Sequence, residues 1–417
     1  MSLPFECGSS SVISRPRDWG ELPGLTWRIE QYFERFKDGH ATKGIPPTAK
    51  TLIFSSNDYL SIGGDPRIVE AQVRRLREFG DSVLMSAVFL HSETEQRAFE
   101  RRIARFMGAE DAVLCQSGWC ANDGLIQTLA DQTIPIYFDM FAHMSFWQGA
   151  QSAGVKARPF RHNSVENLAA LIRKNGPGIV GVDSVYSTTG DIAPLAELAE
   201  LCEAEGCLLI VDESHSAGVF GASGEGLVAM LGLQDRVPYR TLSMSKAFAS
   251  RAGLVVGPSR ALEFYRYESR PAIFSSAVVP HEIAAFEASL DVIEAEGPRR
   301  TRLQESASYL RNRLDELGYN VDISQTQIIA LEAGTEAATI RLRRALESRH
   351  IQGAVFCAPA TPKNRALVRF SVTAAHTPEQ LDRVAEVCAE IRDEVGMRDW
   401  PSTQRKSVRS RRLTVAA

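Results

Sequence analysis

Short apolar runs alternate with helical patterns from about residue 51 to 270, and this alternation constrains the fold more than any other feature. The runs have the length and composition of buried strands. Strands that alternate with helices favour a mostly parallel sheet with helices on both faces. The sequence therefore predicts an α/β fold. The predicted strands are 111–115, 134–139, 178–185, 207–211, 240–243 and 254–256.

Capping signals place the helices between these strands. Ser92 and Glu95 have the three-residue spacing of a capping box, and Gly108 marks the end of the helix that follows. Pro194 opens a second helix that Gly206 closes. A third, long helix is predicted over 280–295.

The 417 residues are enough for one large and one smaller domain. We predict an N-terminal arm over 1–50 with one helix around 27–36, a large domain over 51–285 and a smaller α+β domain over 286–398. Residues 399–417 form a basic tail. We expect the tail to be disordered, although a segment that binds an anion or a partner stays open.

Composition excludes several functional classes. The net charge of −4 gives no support to nucleic-acid binding. We find no apolar run of bilayer-spanning length and no signal-peptide pattern. The spacings of the seven cysteines fit no usual metal site, so we expect reduced thiols, no bound metal and a cytoplasmic location.

Polar residues follow the predicted strands at their carboxyl ends, where open α/β sheets bind ligands. Because these ends meet at one edge of a parallel sheet, we expect the side chains to form one site. The residues are Ser117, Gly118, Trp119, His143, Asp183, Ser187, Asp212, His215, Ser243 and Lys246.

Lys246 and Asp212, 34 residues apart, are the most informative pair among them. A lysine amine can form a Schiff base with an aldehyde, and a carboxylate can keep a pyridine nitrogen protonated. Pyridoxal 5′-phosphate requires both groups. Taken alone, Asp212 could equally be a helix-capping or strand-end aspartate.

The remaining strand-end residues have roles that fit the same cofactor. Residues 116–119 lead from a strand into a helix, whose first backbone N–H groups and Gly118 could bind a phosphate together with the Ser243 hydroxyl. His143 could stack on the pyridine ring or be a core histidine. His215 could donate to the phenolic oxygen of the ring or lie in a loop.

Arg369 lies inside an apolar strand of the second domain. A buried arginine is costly unless it is paired. Bidentate binding of a substrate carboxylate would account for it, and a structural salt bridge is the alternative.

Five motifs, in order along the chain, resemble those of the α-oxoamine synthases. These are fold-type I pyridoxal phosphate enzymes that condense an amino acid with an acyl-CoA. The resemblance covers residues 50 to 395 and implies a seven-stranded, mostly parallel sheet with a smaller α+β domain. The motifs are Ser56–Leu60, Ser117–Gly124, Asp212–Gly218, Ser243–Phe248 and Arg369–His376.

The resemblance also implies roles for individual residues. Lys246 would be the Schiff-base lysine, Asp212 the partner of the ring nitrogen and His143 the stacking residue. The resemblance further implies a homodimer with composite sites, because Ser276 matches a hydroxyl that reaches the phosphate in the neighbouring subunit. The other implied cofactor contacts are Ser117, Gly118, Trp119, Asp183, Ser187, His215 and Ser243, and the implied substrate contacts are Asn57 and Arg369.

One segment departs from the common pattern of the family. Most members carry glycines where this chain has the bulkier residues 81–90. In this segment and others the chain resembles the quorum-sensing α-hydroxyketone autoinducer synthases. That branch implies a long-chain aminoketone made from a medium-chain acyl-CoA, such as decanoyl-CoA, and S-adenosylmethionine or 2-aminobutyrate. The alternatives are an 8-amino-7-oxononanoate synthase, a glycine C-acetyltransferase-like enzyme, or a non-catalytic protein that binds the cofactor.

Overall fold

The structure is a computed structural model that describes residues 22–37, 39–80, 85–90 and 93–406. The described residues up to Lys43 belong to one compact unit, and those from Gly44 onward belong to a second. The first unit contains helix α1 (Pro23–Arg35), at the place where the sequence predicted a helix. All further elements belong to the second unit.

Helices and strands alternate through most of the second unit, as predicted. Its helices are α2 (Pro66–Phe79), α3 (Glu95–Phe106), α4 (Gly118–Leu129), α5 (Met144–Ser152), α6 (Val165–Asn175), α7 (Leu195–Ala204), α8 (Leu227–Met230), α9 (Ser259–Glu268), α10 (Arg270–Ile273), α11 (Pro280–Ala295), α12 (Gly297–Glu316), α13 (Glu336–Glu347) and α14 (Pro378–Glu390). Its strands are β1 (Leu52–Phe54), β2 (Asp111–Cys115), β3 (Ile136–Asp139), β4 (Arg158–Phe160), β5 (Ile179–Asp183), β6 (Leu208–Asp212), β7 (Tyr239–Ser243), β8 (Gly253–Gly257), β9 (Ile328–Gly334), β10 (Ile351–Phe356) and β11 (Ala366–Ser371). None of the helices in the described ranges has both the length and the apolar composition that a bilayer span requires.

Among the described residues, seven strands form the larger sheet, in the order β2-β8-β7-β6-β5-β3-β4. Strand β8 is antiparallel to both of its neighbours, and the other pairs are parallel. Helices α4, α5, α7 and α9 pack against this sheet. The predicted α/β fold, with a mostly parallel seven-stranded sheet covered by helices, is confirmed.

A second, four-stranded sheet has the order β1-β10-β11-β9, and helix α13 packs on three of its strands. Strand β1 pairs in parallel with β10, although residues 51–285 were predicted to belong to the large domain. The sequence could not assign β1, because three apolar residues fit either sheet. The predicted domain boundaries themselves stay a prediction.

The C-terminal residues up to Lys406 are ordered against this smaller sheet. Trp400 is buried, and residues 401–406 are helical. The guanidinium of Arg405 donates to Glu332 at 2.6 Å, and Lys406 forms an ion pair with Asp315. The prediction of a disordered tail from residue 399 is therefore wrong for residues 399–406. Arg409, Arg411 and Arg412 lie outside the described residues.

The start of α3 also differs from the prediction. Glu95 is the first residue of the helix, and the Thr94 hydroxyl caps it by accepting a hydrogen bond from Arg97 N at 3.1 Å. The predicted capping box, which made Glu95 the third helical residue, is wrong because Thr94 supplies an equivalent hydroxyl closer to the helix. Ser92 lies outside the described residues. Helix α7 begins directly after Pro194, as predicted.

Glu332 provides a test of the contacts around the C-terminal residues. Its carboxylate is buried and accepts hydrogen bonds from both Arg365 and Arg405. Replacing Glu332 with Gln should lower the free energy of unfolding by about 1–3 kcal/mol, because it removes a charged acceptor from two guanidinium groups. Urea denaturation measures this change. The matched control is Glu386→Gln, whose partner Arg383 is exposed, and it should cost about 0.5 kcal/mol or less. Equal effects of the two variants would contradict the interpretation.

Candidate active site

The predicted site residues lie in turns that follow five strands of the larger sheet. Ser117 follows β2, His143 follows β3, Ser187 follows β5, His215 follows β6 and Lys246 follows β7. In the parallel register, Asp183 at the end of β5 stands opposite Asp212 at the end of β6. The sheet therefore brings the strand-end residues to one edge, as the sequence predicted.

The Asp212 carboxylate is buried and held by hydrogen bonds on both oxygens. Asn122 Nδ2 donates to Oδ2 at 2.6 Å, and Ser214 N donates to Oδ1 at 2.8 Å. Asn122 is itself fixed by Thr241, whose hydroxyl donates to its Oδ1 at 2.5 Å. Sequence analysis assigned no role to Asn122, although a buried amide in the first turns of α4 is the kind of polar residue that marks such a contact.

Lys246 is half-buried beside this carboxylate. Burial lowers the pKa of its amine, and the positive charge of Arg369 lowers it further, while Asp212 acts in the opposite direction. The neutral amine is therefore populated at lower pH than in a free lysine. A neutral amine is the form that can act as a nucleophile or a base.

His143 is the N-cap residue of α5, and its imidazole is partly buried. Its Nδ1 is 2.7 Å from the Ser145 hydroxyl, and its backbone N–H donates to Asp183 Oδ1 at 3.1 Å. The Trp119 ring meets the imidazole edge to face, with centroids 5.9 Å apart. Burial and the charge of Lys246 lower the pKa of His143, against the effect of Asp212, so the ring is held toward its neutral form.

His215 is buried between the two sheets. Its Nδ1 lies 2.6 Å from the Tyr59 hydroxyl, and its carbonyl accepts a hydrogen bond from Gln327 at 2.9 Å. Burial, with the charges of Lys246 and Arg369, holds the pKa of His215 well below its usual range. Neither Tyr59 nor Gln327 was predicted to belong to the site. For Tyr59, its position in the same motif as Asn57 could have indicated the contact.

Asp183 is the second buried carboxylate at this edge of the sheet. Burial and the neighbouring charge of Asp212 raise its pKa well above the usual range, although the His143 N–H acts against them. Two like charges at adjacent strand ends disfavour each other. Asp183 serves as the acceptor that anchors the His143 backbone.

The turn at Ser117 has the geometry predicted for a phosphate site. The Ser117 hydroxyl caps α4 by accepting from Cys120 N at 3.1 Å, and the first intrahelical bond runs from Ala121 N to Ser117 O. The amides of Gly118 and Trp119 precede that bond, so the helix does not use them. A Cβ on Gly118 would lie 2.6 Å from the Ser243 Cβ. The glycine is thus required by its contact with Ser243, a reason that the sequence did not reveal.

Arg369 links the smaller sheet to this edge of the larger sheet. Its Nη1 donates to the Ser187 carbonyl at 2.6 Å, its Nη2 donates to Asn57 Oδ1 at 2.8 Å, and the guanidinium lies over the Phe356 ring. Its Nε is buried and has no hydrogen-bond partner among the described residues. No carboxylate in the described ranges forms an ion pair with Arg369, so the structural salt bridge is not supported. The predicted contact of Ser187 with the cofactor stays a prediction.

Ser276 is exposed and contacts the residue that precedes Ser117. Its carbonyl accepts a hydrogen bond from Gln116, and its backbone pairs with Ser86. Neighbouring Phe274 is 82% exposed. The role of Ser276 in a second subunit stays a prediction. Of the glycine-poor segment 81–90, residues 81–84 lie outside the described part of the chain.

A cavity of about 350 Å³ opens beside His143 and Ser187. Its walls come from the turn after β3, from the start of α5 and from the loop between β10 and β11. Apolar side chains form much of the wall, namely Met140, Phe141, Met144, Trp147, Phe356 and Leu367. The site therefore combines a charged centre with an adjoining apolar space.

Comparisons with known proteins agree with this geometry. Residues 49–387 match the family described as aminotransferase class I and II. The CAI-1 autoinducer synthase of Vibrio campbellii is 43% identical over 84% of this chain and 89% of that protein. The 8-amino-7-oxononanoate synthase of Symbiobacterium thermophilum is 33% identical over 84% of this chain and 90% of that protein.

A solved structure, that of Sphingomonas wittichii serine palmitoyltransferase, has the same fold. It aligns with a TM-score of 0.81 and 27% identity, covering 90% of this chain and 98% of that chain. The fold-type I architecture predicted from the motifs is thereby confirmed. The chain belongs to the aminotransferase class I and II family and, within it, to the α-oxoamine synthases.

Proposed function

We propose that this protein is a pyridoxal phosphate-dependent acyltransferase that makes a long-chain aminoketone signal precursor. It would join the α-carbon of an amino-acid-type substrate to the acyl group of a medium-chain acyl-CoA, with loss of CoA and of the substrate carboxylate as CO₂. The observation that carries the proposal is the grouping of Lys246, Asp212 and the buried Arg369 at one edge of the sheet. The 43% identity to the CAI-1 autoinducer synthase supports the product class.

The side chains present fit this cofactor. Asp212 is a fixed, buried carboxylate suited to a protonated ring nitrogen, and the amides of Gly118 and Trp119 at the start of α4 are suited to a phosphate. His143 would cover the face of the ring, and Lys246 would hold the aldehyde carbon. Bound pyridoxal phosphate supplies the electron sink that stabilises a carbanion on the substrate.

The chain itself supplies proton transfer and orientation. Lys246, with its lowered pKa, would take the α-proton as a neutral base. Arg369 has a buried Nε that lacks a described partner, and this N–H is suited to a carboxylate oxygen. Asn57 accepts a hydrogen bond from Arg369 and would hold the guanidinium in place for that contact.

The apolar cavity beside His143 is suited to the acyl chain. The Met, Phe, Trp and Leu side chains in its walls offer apolar surface for an alkyl group, and Glu332 and Arg365 also line the cavity. The acyl donor is proposed to be decanoyl-CoA or a similar thioester, and the amino donor S-adenosylmethionine or 2-aminobutyrate. The 33% identity to an 8-amino-7-oxononanoate synthase supports that activity as the second candidate.

A homodimer with composite sites in the cytoplasm completes the proposal. Ser276 is exposed, and the adjacent Phe274 is an apolar side chain almost wholly in solvent. Contact of this ring with another surface would be favourable, because it would remove apolar area from water. In a homodimer, the second copy of the chain would cover Phe274, and the Ser276 hydroxyl would reach the phosphate site of that copy.

Replacing Lys246 with Ala should abolish turnover. It should also remove the visible absorption band that the cofactor gives when it is bound to a protein lysine, because Lys246 is the amine that follows β7 beside Asp212. Absorption spectra and CoA-release assays measure both effects. Lys174→Ala, on the exposed face of α6, is the matched control and should retain both. A Lys246→Ala protein that keeps the band and turnover would refute the assignment.

Replacing Arg369 with Gln should raise KM for the amino substrate about 10–100-fold, the equivalent of one lost charge-assisted hydrogen bond of ~1.5–3 kcal/mol. Steady-state kinetics measure this change. Arg369→Lys keeps the positive charge but loses the planar guanidinium, which can bind both oxygens of a carboxylate. Its KM should therefore lie between that of the wild type and that of Arg369→Gln. The positive charge of Arg369 lowers the pKa of Lys246. Arg369→Gln removes that charge, so the low-pH fall in rate should move to higher pH in this variant, whereas Arg369→Lys keeps the charge and should not show this shift. Unchanged KM in both variants would contradict carboxylate binding.

A panel of amino donors and acyl-CoAs tests the product class. CoA release should be fastest with S-adenosylmethionine or 2-aminobutyrate and a medium-chain acyl-CoA, and mass spectrometry should detect the corresponding aminoketone. A strong preference for alanine with pimeloyl-CoA would instead establish the 8-amino-7-oxononanoate activity. Absence of CoA release with every pair would indicate a protein without this catalysis.

A substitution in the cavity wall can be tested with the same panel of acyl-CoAs. Ala360 is exposed in its wall, so Ala360→Phe should fill part of the space and move the preference toward shorter acyl chains. The matched control, Ala337→Phe on the exposed face of α13, should leave the preference unchanged. An identical chain-length profile in both variants would place the acyl chain elsewhere.

A further inference from the structure

His162, in the turn after β4, bridges two buried carboxylates behind the site. Its Nδ1 is 2.9 Å from Asp139 Oδ1, and its Nε2 is 2.5 Å from Asp191 Oδ2. Both carboxylates are buried, and the imidazole is only 15% exposed. An ionised carboxylate has no proton to donate and can only accept hydrogen bonds. Two contacts with ionised carboxylates therefore require an imidazolium, which donates from both ring nitrogens.

The first carboxylate belongs to the turn that carries His143. Asp139 Oδ1 also accepts from Phe141 N at 2.8 Å, which closes the turn between β3 and α5. The imidazole of His162 stacks on the Phe141 ring with centroids 4.3 Å apart. His162 thus holds this turn through both a charge and a ring contact.

The second carboxylate belongs to the segment that carries Ser187. Asp191 Oδ1 accepts from the Thr189 hydroxyl at 2.5 Å, and its backbone carbonyl accepts from Tyr186 N at 3.0 Å. Ser187 lies within this loop and accepts the hydrogen bond from Arg369. The loop that orients Arg369 is therefore tied to His162 through Asp191.

Asn163 repeats the bridge from the adjacent residue. Its backbone N–H donates to Asp139 Oδ2 at 2.7 Å, and its side-chain amide donates to Asp191 Oδ2 at 2.9 Å. The turn after β4 therefore holds the same two carboxylates through four donor groups, two from each residue. Two loops that are distant in sequence are joined at a single point.

The charged groups around His162 favour its protonated form. Burial disfavours the charge, but the hydrogen bonds to Asp139 and Asp191 outweigh burial and raise the pKa of His162 to about 9. Asp183 is close enough to interact electrostatically with His162, and the Tyr186 ring packs edge-on at 4.5 Å. Because the folded-state pKa is raised, the stabilisation is complete below the unfolded value near 6.5 and is lost as pH rises through about 9.

We infer that His162 is a positioning residue that couples the His143 turn to the Ser187 loop, and so sets the cofactor-covering and carboxylate-binding groups relative to each other. The bridge itself is independent of the reaction, and only its catalytic consequence rests on the proposed function. His162 touches neither substrate nor cofactor in this proposal. It acts through Asp139 and Asp191.

The first test is amide hydrogen exchange of the full-length protein with His162→Gln. Protection should fall together in residues 139–143 and 186–191, because one imidazolium holds both segments. His376→Gln is the matched control: His376 is also largely buried, contacts Thr373 N at 3.0 Å and stacks on Phe54. It should leave both segments protected. Loss of protection in one segment only, or in neither, would overturn the coupling whether or not the proposed reaction is correct.

The second test is the pH dependence of thermal stability. The difference in melting temperature between wild type and His162→Gln should be largest near neutral pH and should narrow as pH rises through about 9. For His376→Gln the difference should not narrow in that range, because burial lowers the pKa of His376 and keeps it neutral. A difference for His162→Gln that is constant from pH 7 to 10 would overturn the charged bridge.

The third test separates positioning from stability. At a temperature where both proteins are folded, His162→Gln should lower kcat/KM for the amino substrate by up to about 100-fold, as expected for misplaced reacting groups. Unchanged kcat/KM would show a purely structural role and overturn the inference. If His162→Gln does not fold, Asp191→Asn replaces it. Asp191→Asn should lower the amide-exchange protection of residues 186–191. It should also lower the pH at which the stabilisation by His162 is lost. The absence of both effects would overturn the bridge.

Discussion

Two buried carboxylates stand side by side in this protein because β5 and β6 are parallel and in register at Asp183 and Asp212. The sheet leaves no freedom to separate them, so their repulsion must be resolved chemically. Burial and Asp212 raise the pKa of Asp183. Lys246 lies close enough to both Asp212 and Arg369 to interact electrostatically with them. The register of two strands thus determines which charged groups of the site influence each other.

The geometry of the Asp212 carboxylate is fixed by hydrogen bonds to both of its oxygens. Asn122 donates a hydrogen bond to one oxygen of Asp212 and Ser214 N donates to the other, and together they fix the plane of the carboxylate. Asp183, by contrast, is bonded to the backbone of His143 and so orients a turn. Identical side chains at adjacent strand ends therefore have different tasks, one electrostatic and one architectural. Neither task follows from residue type alone, because each depends on which neighbour donates.

The sequence was informative wherever a local pattern fixes the outcome. Apolar runs and helix signals predicted the parallel sheet, and the polar residues after those runs predicted the site, because strand ends must converge. Contacts between distant segments were not predictable. Tyr59, Gln327 and the carbonyl of Ser187 reach the site through the packing of the two sheets. The same holds for Arg405, whose pairing with Glu332 needs the tertiary structure to place a buried carboxylate beside it.

Histidine protonation illustrates how the surroundings decide the chemistry of one residue type. Burial lowers the pKa values of His143 and His215, and the charge of Lys246 lowers them further. His162 lies on the far side of the same turn between two carboxylates, and its pKa is raised. A charged His143 would repel Lys246, whereas a neutral His162 would donate to only one of its two carboxylates. The same residue type is therefore shifted toward the imidazolium between Asp139 and Asp191 and toward the neutral imidazole beside Lys246, whose own pKa is lowered as well.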